Sequence, residues 1–389
     1  MSNRNLLILG LVAAGIVALA VVTSRTTNKP ITTSTAPSYL IQGLDPEKIS
    51  KITISTGKEG ELVALTRKGA NFVVANKDNY PAIASEINKL ITTCLDIQTA
   101  EMYTDNPANF KDLGVTEEDA RIAVKFYKTG SSLLTGVIVG KQREQTKGSG
   151  YIRRVEDNKV YVLAAQVPWI KKRPTDYIDQ GLTNVKREDI DSIMVSGPNE
   201  TYVLKPGLGD KGVELENMPE GKVLKNKGAV ANAVFTALVN LKFDDVNAEA
   251  SVERLKFDKK YVCRLKDSTA YTFWLAKDGN DWFAKCDAKF LDSAPVTKTQ
   301  GEVETQEELK KKEAKLLARD AADEFLEKHK GWVYQIPSFN AENLTKPLTE
   351  LLEDAAKEGQ TPGEPNEALL RQGYAGQAVD ANLTETADK

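Results

Sequence analysis

The spacing of hydrophobic and polar positions changes character along this chain. It starts with an unbroken apolar run, Leu6 to Val22, LLILGLVAAGIVALAVV, set between Arg4 and Arg25. A helix rises about 1.5 Å per residue and the hydrocarbon core is about 30 Å thick, so roughly 20 apolar residues span it. Leu6–Val22 sits at the short end of that range, and Thr23 and Ser24 extend it at the interface. This predicts a transmembrane helix within an anchor over residues 1–28. The rival reading is a cleaved secretory signal with Ala18-Leu19-Ala20 as its small-x-small exit. The run continues past that exit through Val21 and Val22, which favours retention. Either reading sends the body across the membrane. Arg4 precedes the span while Arg25 and Lys29 follow it, so the positive-inside bias is weak. Placing the body outside rests on the export-signal character of the segment. Gly10, Ala14 and Ala18 have the spacing of a close helix pair; alanine's helix propensity is the simpler account.

Beyond a flexible linker over residues 29–44, alternation takes over. Ile49-Ser50-Lys51-Ile52-Thr53-Ile54 and Ile190-Asp191-Ser192-Ile193-Met194-Val195 both alternate as half-buried strands do. Each is followed by a second strand, near Leu62–Thr66 and Thr201–Leu204. Helical spacing comes next in both places. Ile83, Ile87, Leu90, Ile91, Cys94 and Leu95 form one stripe; Val230, Val234, Phe235, Leu238, Val239 and Leu241 form the other. Further strands then correspond: Ile122–Tyr127 with Tyr261–Leu265, Leu133–Val139 with Tyr271–Ala276, and Tyr151–Val155 with Trp282–Lys285. Lys159–Leu163 corresponds to Trp332–Ile336, with Val-Tyr in register and a helical tail after each, Gln166–Ile178 and Ala341–Asp354. The expected fold class is α+β, a transmembrane helix followed by two related antiparallel-sheet domains with packed helices, over residues 45–183 and 184–354.

The second copy carries a charged helical insertion, residues 302–330, dense in Glu, Lys and Ala, with an apolar stripe at Leu309, Leu316, Leu317, Ala321 and Phe325. Docking on its own domain is the expectation for such a helix, with a partner-binding arm as the alternative. Residues 355–389 are rich in Gly, Pro, Ala, Gln and acids and read as a disordered tail.

With 389 residues and 41% hydrophobic content, the chain has room for two cores. Its net charge of −3 gives no broad basic field, which argues against nucleic acid as a partner. Cys94 and Cys263 read as small buried residues; Cys263 and Cys286 could pair only if the fold supplies the geometry. The single histidine, His329, ends a charged helix and reads as a solvated residue complementing the helix C-terminus. Trp169, Trp274, Trp282 and Trp332 read as core or domain-junction residues.

Chemical motifs fail when tested. Gly207-Leu208-Gly209-Asp210-Lys211-Gly212 fits G-x-G-x-x-G, but Val213 to Met218 alternates and Pro219 breaks it, so a hairpin replaces the required helix. Gly140-Lys141 is followed by Gln142 and lacks the spaced glycine of a phosphate loop. The acid clusters Glu117-Glu118-Asp119 and Glu188-Asp189 look like solvated turns. No catalytic, cofactor-binding or metal-ligating residue is named on this basis, and no cofactor is expected.

One set of marks has a precedent. Tyr80-Pro81-Ala82 opens a helix, Phe110 and Leu113-Gly114-Val115 precede a strand, and Gly140-Lys141, Gly150-Tyr151-Ile152-Arg153 and Val160-Tyr161-Val162 follow. From Ile49 to about Leu182 this order resembles a bacterial domain-of-unknown-function family, DUF4340, of membrane-anchored envelope proteins. Phe72 stands where tryptophan is usual, and no proline follows Val115. The family has no established catalytic residues. The resemblance implies an extracytoplasmic, periplasmic location and genes beside those of a gliding-motility-type ABC transporter. The expected function is therefore a non-enzymatic, single-pass, membrane-anchored scaffold or accessory protein. It would contact the bilayer through residues 6–22 and bind proteins of the envelope, an ABC-type transporter complex among them. The alternative is an envelope protein binding lipid, glycan or small molecule in the cleft between its repeats. A hydrolase whose carboxylates meet only on folding is a third.

Overall fold

The structure, a computed structural model, describes residues 38–144, 148–208, 212–296 and 305–355. The expected membrane segment at Leu6–Val22, the tail from residue 356 and the first residues of the 302–330 insertion lie outside the described residues. Among the described residues no helix is long and apolar enough to cross a membrane.

Strands form where the alternation places them. The first sheet comprises β1 (Ser38–Tyr39), β2 (Lys51–Thr56), β3 (Gly60–Lys68), β4 (Asn71–Val74), β5 (Tyr80–Pro81), β6 (Gln98–Thr104), β7 (Ile122–Tyr127), β8 (Leu133–Gln142), β9 (Gly150–Arg154) and β10 (Val160–Leu163). The second half supplies β11 (Ile190–Ser196), β12 (Thr201–Pro206), β13 (Val213–Leu215), β14 (Lys222–Leu224), β15 (Asp245–Ala248), β16 (Lys259–Leu265), β17 (Thr269–Asp278), β18 (Asp281–Phe290), β19 (Trp332–Ile336) and β20 (Leu352–Asp354). β14 and β20 form a separate ribbon.

The first sheet runs β1-β6-β10-β9-β8-β7-β2-β3-β4-β5, and the second runs β13-β12-β11-β16-β17-β18-β19-β15. Read from its other edge, the second repeats the order β6-β10-β9-β8-β7-β2-β3-β4 strand for strand, with β15 in the place of β6. The strands matched above, such as Ile122–Tyr127 with Tyr261–Leu265, occupy equivalent places. The molecule is α+β, mainly antiparallel sheet with helices packed on it.

The described helices are α1 (Ala84–Leu95), α2 (Phe110–Leu113), α3 (Ala229–Phe235), α4 (Gln306–His329), α5 (Ser338–Leu344) and α6 (Leu348–Leu351). α1 turns Ile87, Leu90, Ile91 and Cys94 inward. α3 is shorter than its stripe implies. Thr236 donates its hydroxyl to the Asn232 carbonyl at 2.8 Å, and the chain turns, with Leu238 and Leu241 still buried. α4 begins on a capping box, Thr305 with Glu308. It packs on β18, and Lys315 pairs with Asp292, just past the end of that strand, at 2.7 Å. The buried stripe is Ala318, Ala322 and His329, not the leucines; Leu309 and Leu317 are exposed.

Several expectations need correction. The linker over 29–44 is too long: Ser38 and Tyr39 pair with Thr99 and Gln98, and Leu40 and Ile41 are buried. The tail Gln166–Ile178 is not a helix. Pro168 and Pro174 interrupt it, leaving a single 3-10 turn at Pro174–Tyr177. Cys263 and Cys286 are free thiols. They sit on β16 and β18, opposite Tyr271 and Phe273 of the intervening β17. Strands two places apart are separated by roughly 9–10 Å, beyond a disulfide's reach. Burial pushes the thiols of Cys94 and Cys263 up to about 12.

Candidate functional site

The sequence points to one place for a ligand, between the two sheets, and there the molecule is filled. Tyr80 on β5 is 3% exposed. Its ring meets Trp332 at 4.9 Å, Phe243 at 6.1 Å and Tyr334 at 6.3 Å between centroids, all edge-on. Polar contacts surround this centre. Lys77 pairs with Asp245 at 2.7 Å, and Asp78 accepts from the Ala248 amide at 2.8 Å and the Ser251 hydroxyl at 3.1 Å. Lys328 pairs with Asp179 at 3.2 Å. One apolar core runs through the junction from sheet to sheet.

His329 belongs to this junction, contrary to its expected place in solvent. It is 2% exposed, because the chain turns under the end of α4 at Gly331, whose φ is +80°. Its Nδ1 lies 2.7 Å from the Tyr334 hydroxyl. Burial raises both the Tyr80 and the Tyr334 phenol above the ordinary range. Burial, with help from Lys328 and against Asp179, pulls the imidazole down to about 4. The ring is neutral and structural.

The sequence marks shared with the envelope family meet in a second unit. Phe110, Leu113 and Val115 pack on Ala123, Ile138 and Val160 as a small core on the far face of the first sheet. Gly140 permits it: a Cβ there would sit 2.4 Å from the Leu113 carbonyl oxygen. Arg153 clamps it. Its Nε and Nη2 donate to the Val115 carbonyl at 3.1 and 3.0 Å, and its Nη1 donates to the Asp157 carbonyl at 2.9 Å. The guanidinium also covers the Phe110 ring at 4.7 Å. Replacing this fork by a single ammonium cannot satisfy these carbonyls. Arg153→Lys should therefore cost about 2 kcal/mol in urea denaturation; an unchanged midpoint contradicts the clamp.

Beside this unit lies the largest opening on the first sheet among those described. A cavity of about 590 Å³ is lined by Arg121, Ile122, Gln142, Pro168, Trp169 and Lys172, among others. A second, of about 550 Å³, adjoins it through Arg121, Gln142 and Lys172 and extends to Lys58, Glu118 and Lys141. The close approach that builds the floor needs glycine at Gly57, where a Cβ would lie 2.1 Å from the Glu118 carbonyl oxygen.

The first cavity carries four cations, Arg121, Lys171, Lys172 and Arg173, against one carboxylate, Asp176. Two cations are occupied. Lys171 pairs with Glu86 at 2.7 Å, and Arg173 with Asp176 at 2.8 Å. Burial raises the Asp176 carboxyl, but the Arg173 hydrogen bonds outweigh this and hold it below the ordinary range. Arg121, Lys141 and Lys172 have no side-chain partner among the described residues. Trp169 stands at the rim, 87% exposed, neither core nor junction. The second cavity holds three carboxylates, Glu59, Glu118 and Asp119, against Lys58, Arg121, Lys141 and Lys172, so the positive excess lies mainly in the first. What the first cavity offers is that excess of positive charge, an apolar wall and an indole face, a combination suited to an anion bearing an apolar part. The run Lys171-Lys172-Arg173 after Trp169 was the signal in the sequence, diluted by the overall negative charge.

The motifs set aside earlier are structural here. Gly207 and Gly212 close the hairpin between β12 and β13, and Gly209 to Lys211 lie outside the described residues. Among the described residues no group of three His, Cys, Asp or Glu side chains is placed to hold a metal.

A family model described as Domain of unknown function (DUF4340) matches residues 73–260. The match begins within β4, takes in α1, the Arg153 unit and the Trp169 groove, and crosses the junction to end within β16. No curated protein and no solved structure matches the chain.

Proposed function

The chain belongs to the DUF4340 family over residues 73–260, and from that premise we propose a non-enzymatic, membrane-anchored accessory protein whose body stands outside the cytoplasm and binds other envelope proteins. On this reading the apolar run Leu6–Val22 holds it to the bilayer. The two sheets descend from one duplicated unit, a reading supported by their common strand order. An ABC-type transporter complex is the partner class suggested by the family resemblance.

The observation that carries the partner-binding reading is the first half of α4. From Gln306 to Ala314 no residue is buried, so this part of the helix projects. Leu309 is 51% exposed and Leu317 is 62% exposed, while Leu316, on the same side as Leu309, is partly covered by the segment after β18. An apolar helix face left bare is a ready site for a protein groove or a second helix. Charged substitutions at Leu309 and Leu317 should leave stability within about 0.5 kcal/mol. They should also remove a stoichiometric partner that the detergent-solubilised wild type retains from its native membrane. A wild-type chain that brings down no such partner, or a variant that keeps it, contradicts the reading.

The alternative, a ligand-binding protein, is better served by the Trp169 groove than by the space between the sheets, which Tyr80 and its neighbours occupy.

A further inference from the structure

The Trp169 groove lies close to where the chain enters the fold. Ser38 and Tyr39 pair with Thr99 and Gln98 on one side of β6. On its other side Leu163 is opposite Thr99, and the Ala164 amide donates to the Gln98 carbonyl at 3.0 Å. Trp169 follows Ala164 by five residues, so its backbone is within about 17 Å of that point. Fifteen residues separate Val22, the end of the apolar run, from Ser38, a length of chain that reaches at most about 55 Å. Whatever holds Leu6–Val22 holds this part of the first sheet nearby.

The side chains exposed there suit a lipid–water boundary. Trp169 is 87% exposed and Tyr39 is 50% exposed. Indole and phenol rings settle at headgroup level, with an apolar body and a polar edge. Arg121 and Lys172 line the same cavity as Trp169, and Lys141 lines the adjoining one; none of the three has a side-chain partner among the described residues. Lysine and arginine so placed are drawn to anionic lipid.

We propose that this groove and its rim dock the body on an anionic bilayer surface. Trp169 enters the headgroup layer, and Arg121 and Lys172, with Lys141 behind them, take lipid phosphates. The inference rests on the anchored reading above. The short tether keeps the groove at high local concentration against the surface, so individually weak contacts suffice.

The test uses the full chain in nanodiscs. One set is phosphatidylcholine brominated near the headgroup end of its acyl chains; the other also contains phosphatidylglycerol. The chain has four tryptophans, so the Trp169 signal is the difference between wild type and Trp169→Phe. The expected result is that Trp169 loses most of its emission in the anionic discs and little in the zwitterionic ones. Arg121→Gln with Lys172→Gln should abolish that dependence on lipid charge without moving the melting temperature. Quenching that ignores lipid charge overturns the inference. So does a Trp169 that stays bright in anionic discs, whether or not a soluble anionic oligosaccharide quenches it. A chain that fails to co-elute with any disc instead overturns the anchored reading, which separates the two failures.

Discussion

Tyr80→Ala is expected to destabilise the protein by about 3–5 kcal/mol and to split its unfolding into two transitions. The ring is buried, and it is the side chain of the first sheet that reaches Trp332, Phe243 and Tyr334 of the second half. Truncation removes its apolar contacts and leaves a void that two large sheets cannot collapse around. The other links across the junction are the partly exposed ion pairs Lys77–Asp245 and Lys328–Asp179, the Asp78 hydrogen bonds to Ala248 and Ser251, and the rest of the shared apolar core. The ion pairs contribute about 0–1 kcal/mol each. Calorimetry on the wild type should show one dominant transition and on Tyr80→Ala two. Tyr39→Ala, at a half-exposed ring, is the matched control and should cost little. A single unshifted transition in Tyr80→Ala would mean that the junction does not couple the sheets.

Lowering the pH should weaken the fold through His329. The imidazole is held at about 4 in the folded protein, below its ordinary 6.5. Above pH 6.5 the ring is neutral folded and unfolded, and stability does not depend on it. Between 6.5 and 4 the unfolded chain binds a proton that the folded chain refuses, so stability falls as pH falls. The full loss is about 3 kcal/mol and levels off once the folded ring also protonates. Below that, Asp176 and Asp179, both held low, begin their own loss. The groups facing His329 are Lys328, Asp179, Tyr334 and the Phe325 ring, which stacks at 4.3 Å. Urea midpoints across this window should slope for wild type and flatten in His329→Gln. Equal slopes would place the ring in solvent.

The strands with strict alternation were legible in the sequence, and so was the start of α4, because local chemistry decides them. β2 and β11 alternate, and Thr305 with Glu308 spells a cap. The edge strands were not. β6 is mostly exposed, and its sequence QTAEMYT has no apolar rhythm; β10 and β1 make it a strand by pairing with it. β15 is a strand because β19 runs beside it. His329 was misplaced because Lys328 and Lys330 flank it and suggest water, whereas the fold tucks the helix end under Tyr334. The α4 stripe was misread for a related reason: alanines, not leucines, fit the close approach to β18. Trp169 shows the opposite error, an aromatic assigned to the interior on hydrophobicity alone, though Pro168 and the cations after it keep it on a surface loop. The groove draws its side chains from β7, β8 and the loop after β10, and only the sheet order brings these together.

The central claim is that the chain is held in a membrane with its body on the far side, and one experiment meets it directly. Cells making the full chain are fractionated with an alkaline carbonate wash, and intact spheroplasts are treated with protease from outside. A chain that stays with the washed membranes and whose body is digested from outside is the predicted result. A chain found free in the soluble cytoplasmic fraction, or membrane-bound but shielded from the added protease, contradicts it.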